Sequence, residues 1–312
     1  MLRRKLAILT LLFGSALGVM AQYDPSFSHY WAMETAYNPA AAGKQDKINA
    51  VVAYNMSLVG FENNPRTMYF TGDMPFYALG AYHGVGLQMI NDDIGAFSHK
   101  KFSVMYAYKR KLFGGTLSIG IQPSMVSEAL NGSKLDFVDK DDEALTTSDV
   151  NGSAFDLNIG LYYKRKNWYA GLSVQHVTAP TVEIGETNEL AIKQSYYLTG
   201  GCNIRLRNPF FTIQPSLMAR YDGVSYRADV TSRLTYTYEK RVMYAGVGYS
   251  PTNSFTVYLG GMFHGIMLGY SYEVFTSTIP VGNGSHELFA GYQTDLNLFK
   301  KGRNRHQSVR LL

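Results

Sequence analysis

The seven histidines stand at positions 29, 83, 99, 176, 264, 286 and 306, and only His286 is followed by a carboxylate, Glu287. Hydrolytic chemistry needs a Ser or Asp to converge with a His base at one place. The scattered imidazoles argue against it and leave His286 and Glu287 as the one candidate pair, for which a structural hydrogen bond is the expectation. Asp136, Asp139, Asp141, Asp142 and Glu143 could offer oxygen ligands to a divalent cation, but no Gly stands at the sixth position of a calcium loop. A solvated acidic loop is expected there instead. Cys202 is the only cysteine, which excludes an intrachain disulfide. It shares a face with Leu198 and Ile204 on an alternating segment and reads as a small apolar residue. Nothing in this set calls for an enzyme, a metal or a cofactor.

The elements that carry these residues have a period of two. Leu117, Ile119, Ile121 and Met125 fall on one face of a segment whose other face holds Thr116, Ser118, Gln122 and Ser124. Residues 209–221 repeat the pattern, with Phe211, Ile213, Leu217 and Tyr221 against Thr212, Gln214, Ser216 and Arg220. Segments of about ten alternating residues separated by short turns are what a β-barrel with a lipid-facing wall and a wet bore requires. Candidate strands cover residues 48–58, 66–76, 81–91, 100–111, 113–125, 153–164, 167–178, 193–206, 209–221, 224–238, 241–250, 253–262, 265–276 and 284–296. The expected fold is therefore all-β, a transmembrane antiparallel β-barrel of about 14 strands. Asp156, Asn158, Glu273, Glu287 and Asp295 fall on the polar faces and are expected in the lumen. Strands about 4.8 Å apart at a tilt of about 40° enclose a bore about 25 Å across at the backbone, which side chains alone need not close.

Connection lengths and charges sort by side. If strand one starts in the periplasm, the periplasmic turns are tiny, such as Arg165-Lys166, Arg207-Asn208, Glu239-Lys240 and Phe263-His264, while residues 126–152 and 179–192 form long outer loops. That asymmetry is the outer-membrane one. The short-turn rim collects Lys109, Arg110, Lys111, Lys164, Arg165, Lys166, Arg205, Arg207, Lys240 and Arg241, and these are the candidate partner-binding residues. The outer loops collect Glu128, Asp149, Glu183, Glu186, Glu189 and the acidic cluster already named. A basic inner rim can attract an acidic periplasmic partner by its focused potential. The simpler use of the same cations is solvation and contact with inner-leaflet phosphates.

Arg3, Arg4 and Lys5 precede an apolar run from Leu6 to Val19, and Val19-Met20-Ala21 forms a small-residue cleavage site. Residues 1–21 thus read as a signal peptide, and the mature chain is expected to begin at Gln22. The absence of a Cys after the cleavage site excludes a lipoprotein. The formal charge of +5 falls to +2 once the three leader cations are set aside, which gives no reason to expect nucleic acid as a partner. Charged residues make up only 17% and Tyr numbers 24, consistent with a wall that faces lipid and anchors at its interfaces. The expected organisation is a signal peptide at 1–21, an irregular N-terminal segment at 22–47 that is periplasmic or lumenal, a barrel at 48–298, and a basic tail at 299–312.

Within residues 22–47 two X-Pro steps impose extended or turn geometry, and the small residues at 40–43 allow close approach to another backbone. Asp24-Pro25-Ser26-Phe27-Ser28-His29-Tyr30 followed by Asn38-Pro39-Ala40-Ala41-Ala42-Gly43 resembles the N-terminal box of the PorP/SprF family. Collinear matches continue at Gly86-Leu87 with Asn91-Asp92-Asp93-Ile94-Gly95, at Gly171 to His176, at Tyr196 to Gly201, at Gly269 to Tyr272, and at Gly284-Ser285-His286-Glu287. The departures are Gln175, where the family usually has Pro or a similar residue, and the end from Lys300 to Leu312, which is shorter and plainer in the family. The resemblance marks Asp24, Pro25, Asn38, Pro39, Gly43, Ser285, His286 and Glu287 as family-motif residues. It implies a non-enzymatic outer-membrane component of the type IX secretion system of Bacteroidetes, which moves folded cargo across the outer membrane and in some members supports gliding motility. The implied partners are outer-membrane lipid, periplasmic ring and peptidoglycan-anchoring components and, in several members, a secreted surface adhesin. A passive porin or substrate channel is the alternative, favoured by a polar lumen.

Overall fold

Fourteen strands of alternating side chains close into one ring because every backbone N–H and C=O in a bilayer must find a partner, and a closed sheet has no edges. The computed structural model describes residues 24–132, 149–185, 188–251, 253–276 and 284–295. The leader, the cluster from Asp136 to Glu143, Glu186 and the basic tail lie outside them.

The strands are β1 Lys47–Met56, β2 Arg66–Ala78, β3 Ala81–Ile94, β4 Phe97–Leu112, β5 Gly115–Leu130, β6 Val150–Lys164, β7 Trp168–Gln175, β8 Thr181–Ile184, β9 Asn188–Ala191, β10 Ser195–Cys202, β11 Ile204–Arg205, β12 Phe211–Tyr221, β13 Tyr226–Tyr238, β14 Arg241–Ser250, β15 Ser254–Phe263, β16 Ile266–Phe275 and β17 Ser285–Asp295. Neighbours in the ring pair antiparallel; β7 pairs with β10 past the separate β8–β9 hairpin, and β10 and β11 both pair with β12. The ring closes where β1 meets β17, with Lys47 opposite Asp295, and where β10 meets β12, with Tyr196 opposite Tyr221.

The wall is apolar outside and polar inside. On β7, Leu172 is 56% exposed while Ser173 beside it is 6% exposed. On β5, Ile119, Ile121 and Met125 face out while Ser118, Gln122 and Ser124 are buried, and Asp156 and Asn158 of β6 are fully buried. A water-soluble sheet protein would show the reverse, because exposing those aliphatics to water costs about 25 cal/mol per Å2. The apolar band has sharp limits. The cross-strand row Met89, Phe102, Met125 and Phe155 is followed by the row Asn91, Lys100, Ser127 and Ser153. At the other end Tyr163 and Arg165 succeed Leu161 on and just beyond β6. From Phe155 to Tyr163 the strand rises about 21 Å along the membrane normal, given ~3.4 Å per residue and ~40° of tilt. That approaches the ~25 Å apolar band of outer-membrane barrels. No helix among the described residues is long and apolar enough to cross a membrane.

Several expected boundaries move. The segment 113–125 runs on to Leu130, and Phe113 is a turn residue. Phe113-Gly114, Leu79-Gly80 and His264-Gly265 each have positive φ at both positions, the two-residue turn whose twist matches that of paired strands. The tight turn thus lies at His264-Gly265 rather than Phe263-His264. The stretch 193–206 is one stave interrupted at Asn203, whose backbone N–H donates to Asn167 and whose side chain accepts from Gln214. The loop 179–192 contains the β8–β9 hairpin, and its Val182, Ile184 and Ile192 are buried against Val126. The hairpin crosses the inner face of β6, where a Cβ on Gly152 would stand 1.9 Å from the Glu183 carbonyl oxygen.

The apolar core sits in the lumen, between the N-terminal segment and the wall. Phe27, Tyr30, Met33, Ala36 and Tyr37 pack against Val51, Ala53, Tyr69, Ile90, Tyr197, Met218 and Phe289. A four-residue helical turn, Glu34–Tyr37, and a 3-10 turn, Pro39–Ala41, bend the chain across the bore.

Candidate functional site: a plugged lumen and a basic rim

The N-terminal segment enters the lumen near the long-loop end, where Asp24 is held by three elements. Its carboxylate accepts from His176 Nε2 at 2.9 Å and from Tyr197 OH at 2.8 Å, and its carbonyl accepts from Arg220 at 3.4 Å. His176 in turn donates through Nδ1 to Asp156 at 2.9 Å. Burial works against the charge on Asp24, but the imidazolium field and hydrogen bond of His176, with Lys101 nearby, outweigh it and hold the carboxyl well below its usual range. Pro25 is half-buried beside it.

Glu287 of β17 makes the second anchor. One oxygen accepts the Ser28 N–H at 2.8 Å, and the other accepts the His29 N–H at 2.9 Å and His29 Nδ1 at 2.6 Å. His286 points the opposite way, toward lipid, with Nδ1 2.8 Å from Tyr270 OH. The two side chains lie on opposite faces of one strand and cannot act together on a substrate. Ser285 Oγ accepts the Leu58 N–H at 3.2 Å and ties the end of β17 to the loop after β1.

The third anchor is a track of missing side chains. Gly84, Ala107, Gly120 and Gly160 are successive cross-strand partners on β3 to β6, all buried. Asn38 through Gly43 run along this row. A Cβ on Gly160 would lie 2.0 Å from Asn38 Oδ1, one on Gly120 2.2 Å from the Ala40 nitrogen, and one on Gly84 2.0 Å from the Ala42 oxygen. Asn38 also donates to the Leu161 carbonyl at 2.9 Å and accepts the Ala40 N–H at 2.9 Å, so its side chain fastens both wall and plug. Pro39 opens the 3-10 turn, where it gives up no needed donor. Gly43 has φ +62 and donates its N–H to Asp73 at 2.7 Å, and a Cβ there would stand 2.9 Å from backbone atoms of Met74, Pro75 and Gly84.

The six connections at the other end, between β2 and β3 and so on to β15 and β16, are short. Arg110, Lys111, Arg165, Lys166, Arg205, Arg207, Lys240 and Arg241 are exposed at or near it. Lys164 is half-buried. Lys109, expected at the rim, is buried in the lumen with Nζ unpaired, because the alternation on β4 points 107, 109 and 101 inward and Arg110 outward.

The histidines do not converge. His29, His99 and His176 each meet a carboxylate of the wall or the plug, at Glu287, Glu128 and Asp156, while His83 bonds to Tyr106. No group of three or more metal-ligating side chains occurs among the described residues. Sequence reasoning placed His176 and Tyr197 in family-like stretches without giving them a role, and it missed the glycine row. The period-two register was the one signal that could have aligned Gly120 with Gly160. The arrangement fastens an N-terminal segment inside the lumen and presents charge at one rim.

The family model described as type IX secretion system membrane protein PorP/SprF matches residues 19–292. No curated protein matches the sequence. Among solved structures, the CymD monoaromatic hydrocarbon channel aligns with a TM-score of 0.52 and 10% identity, covering 89% of this chain and 95% of that one. A Pseudomonas aeruginosa FadL homologue aligns with a TM-score of 0.48 and 10% identity, over 83% and 93%. The likeness to CymD is one of fold alone.

Proposed function

Since this chain belongs to the PorP/SprF family of type IX secretion system membrane proteins, we propose that it is a sealed, non-enzymatic outer-membrane barrel that docks periplasmic components of that system. The short-turn end faces the periplasm in this reading, and the barrel supports export or surface anchoring of cargo, adhesins included, without conducting it. The observation that carries the reading is the pairing of a lumen filled by the chain's own residues 24–46 with a rim of exposed cations. A polypeptide cannot share a bore already packed with Phe27, Tyr30, Met33 and Tyr37, so the service the barrel offers lies at its surfaces. Exposed Arg and Lys at one rim raise association rate and partner selectivity through long-range attraction to acidic surfaces.

Reversing charge at Lys164, Arg165 and Lys166 tests the docking role. Co-purification with periplasmic ring and peptidoglycan-anchoring components should fall sharply while insertion of the barrel stays intact. Unchanged co-purification rejects docking through this rim. A steady open pore from the purified protein in planar bilayers would favour the porin reading instead.

A further inference from the structure

Arg233 of β13 is a cation without an ion-pair partner among the described residues. No hydrogen bond or ion pair reaches its guanidinium among the described residues, its Nε is buried without a partner, and its contact is the face of Trp31, 3.5 Å from the ring centroid. Trp31 Nε1 is likewise buried and unpartnered. Both side chains line a cavity of about 100 Å3 whose walls include Glu34, Lys44 and Asp73. Met262 and Met267, which flank the turn at His264-Gly265, form another wall, so the cavity lies between plug and barrel toward the short-turn end.

The other charges on these walls are already engaged. Lys44 Nζ pairs with Glu34 at 2.9 Å, and Asp73 accepts from the Gly43 N–H at 2.7 Å and from Asn49 at 2.9 Å. What remains is one cation and two unused donors facing a space of roughly three water volumes. Water can satisfy the donors, but it leaves a half-buried guanidinium without an ion pair of its own, since Glu34 is already paired with Lys44, and such a charge is costly to hold away from bulk solvent. We infer that this cavity is a binding site for a monoanionic carboxylate, held by Arg233 and Trp31. A flat acceptor with two oxygens matches the guanidinium fork. A phosphate dianion matches less well, because Glu34 and Asp73 on the same walls repel its second charge. The carboxylate can belong to a small acid or to a protein side chain or C-terminus entering from the short-turn end. The site stands independently of docking at the basic rim.

The chain has two tryptophans, so Trp168→Phe leaves Trp31 as the sole indole and the reporter. The full-length protein in detergent is titrated at constant ionic strength with sodium acetate, with a short peptide bearing a free C-terminus, and with the same peptide amidated. A saturable change in Trp31 emission with acetate or with the free-acid peptide is expected, at least tenfold weaker in Arg233→Gln and absent with the amide. Peptide binding tighter than acetate assigns a protein-borne carboxylate, equal binding a small acid, and either result upholds the site. Arg233→Lys keeps the charge and loses the fork, and it serves where Arg233→Gln does not insert; it should also bind at least tenfold more weakly. The inference is overturned by no saturable response to any carboxylate, by an equal response in the Arg233 variants, or by equal saturation with chloride or phosphate.

Discussion

Asn38 occupies the space that a side chain on Gly160 would need, with Oδ1 2.0 Å from where that Cβ would stand. The plug is therefore seated by an absence in the wall, 122 positions along the chain from the residue it admits. Gly160→Val or Gly120→Val should unseat it. Overpacking a fitted interior typically costs about 1–3 kcal/mol, and here the clash is partly with backbone, which cannot rotate away. The barrel should still insert, since the outward face is unchanged. Conductance in planar bilayers should rise from near zero to a steady open state. Gly72→Ala, where the nearest atom to a new Cβ is 3.9 Å away, is the control expected to stay closed.

Glu287 and His286 separate structure from chemistry. Glu287→Gln removes the charge that holds the Ser28 and His29 N–H groups, and a hydrogen bond to a charged group contributes about 1.5–3 kcal/mol. Denaturant midpoints in micelles should fall accordingly. His286→Ala, at a lipid-facing position, should change stability by less than about 0.5 kcal/mol and leave secretion intact. Loss of secretion in His286→Ala with a normally folded barrel would instead assign His286 a role on the outer face of β17.

The wall was legible from sequence, whereas of the plug only an irregular segment, periplasmic or lumenal, could be read. Alternation placed Ile119 and Ile121 outside and Ser118 and Gln122 inside because a strand has a local period, readable within ten residues. The same alternation, carried one strand further, also states that Lys109 points inward with Ala107, yet its position next to Arg110 and Lys111 made it look like a rim cation. The interruption at Asn203 escaped notice because it depends on Asn167 and Gln214, neither of them a neighbour in sequence. The small residues 40–43 announced close approach to a backbone, but which backbone depends on the register that lines up Gly84, Gly120 and Gly160. The contact of Asp24 with His176 spans 152 positions and has no local signature at all.

That contact should make the plug's outer anchor pH-dependent. Asp24 is held below the ordinary carboxyl value of 3.8, so its share of stability is complete above 3.8 and is lost as pH falls through the depressed folded value. His176 is raised above 6.5: burial opposes the charge, and the field of Asp24 with hydrogen bonds to Asp156 and Asp24 outweighs it. Its share is complete below 6.5 and is lost as pH rises through the raised folded value. The anchor is thus firmest between 3.8 and 6.5 and loosens on the alkaline side. Intrinsic-rate-corrected hydrogen exchange at the backbone of Ser26 to Tyr30 should accelerate as pH is taken from 6 toward 9, and His176→Asn should flatten that dependence. An equally steep acceleration in His176→Asn would assign the effect elsewhere.

Sidedness has its own test in the connection from Leu130 to Val150. It leaves β5 at the end opposite the basic rim and contains Lys134 and Lys140, both trypsin sites. If the short turns face the periplasm, trypsin added to whole cells should cleave this connection and yield two fragments that remain together in the folded barrel until it is denatured. Arg165 and Lys166, at the opposite rim, should be cut only after the outer membrane is permeabilised. Cleavage at Arg165 in intact cells, with the β5–β6 connection protected, would invert the barrel and turn the cations toward the outside, where a periplasmic partner could not reach them.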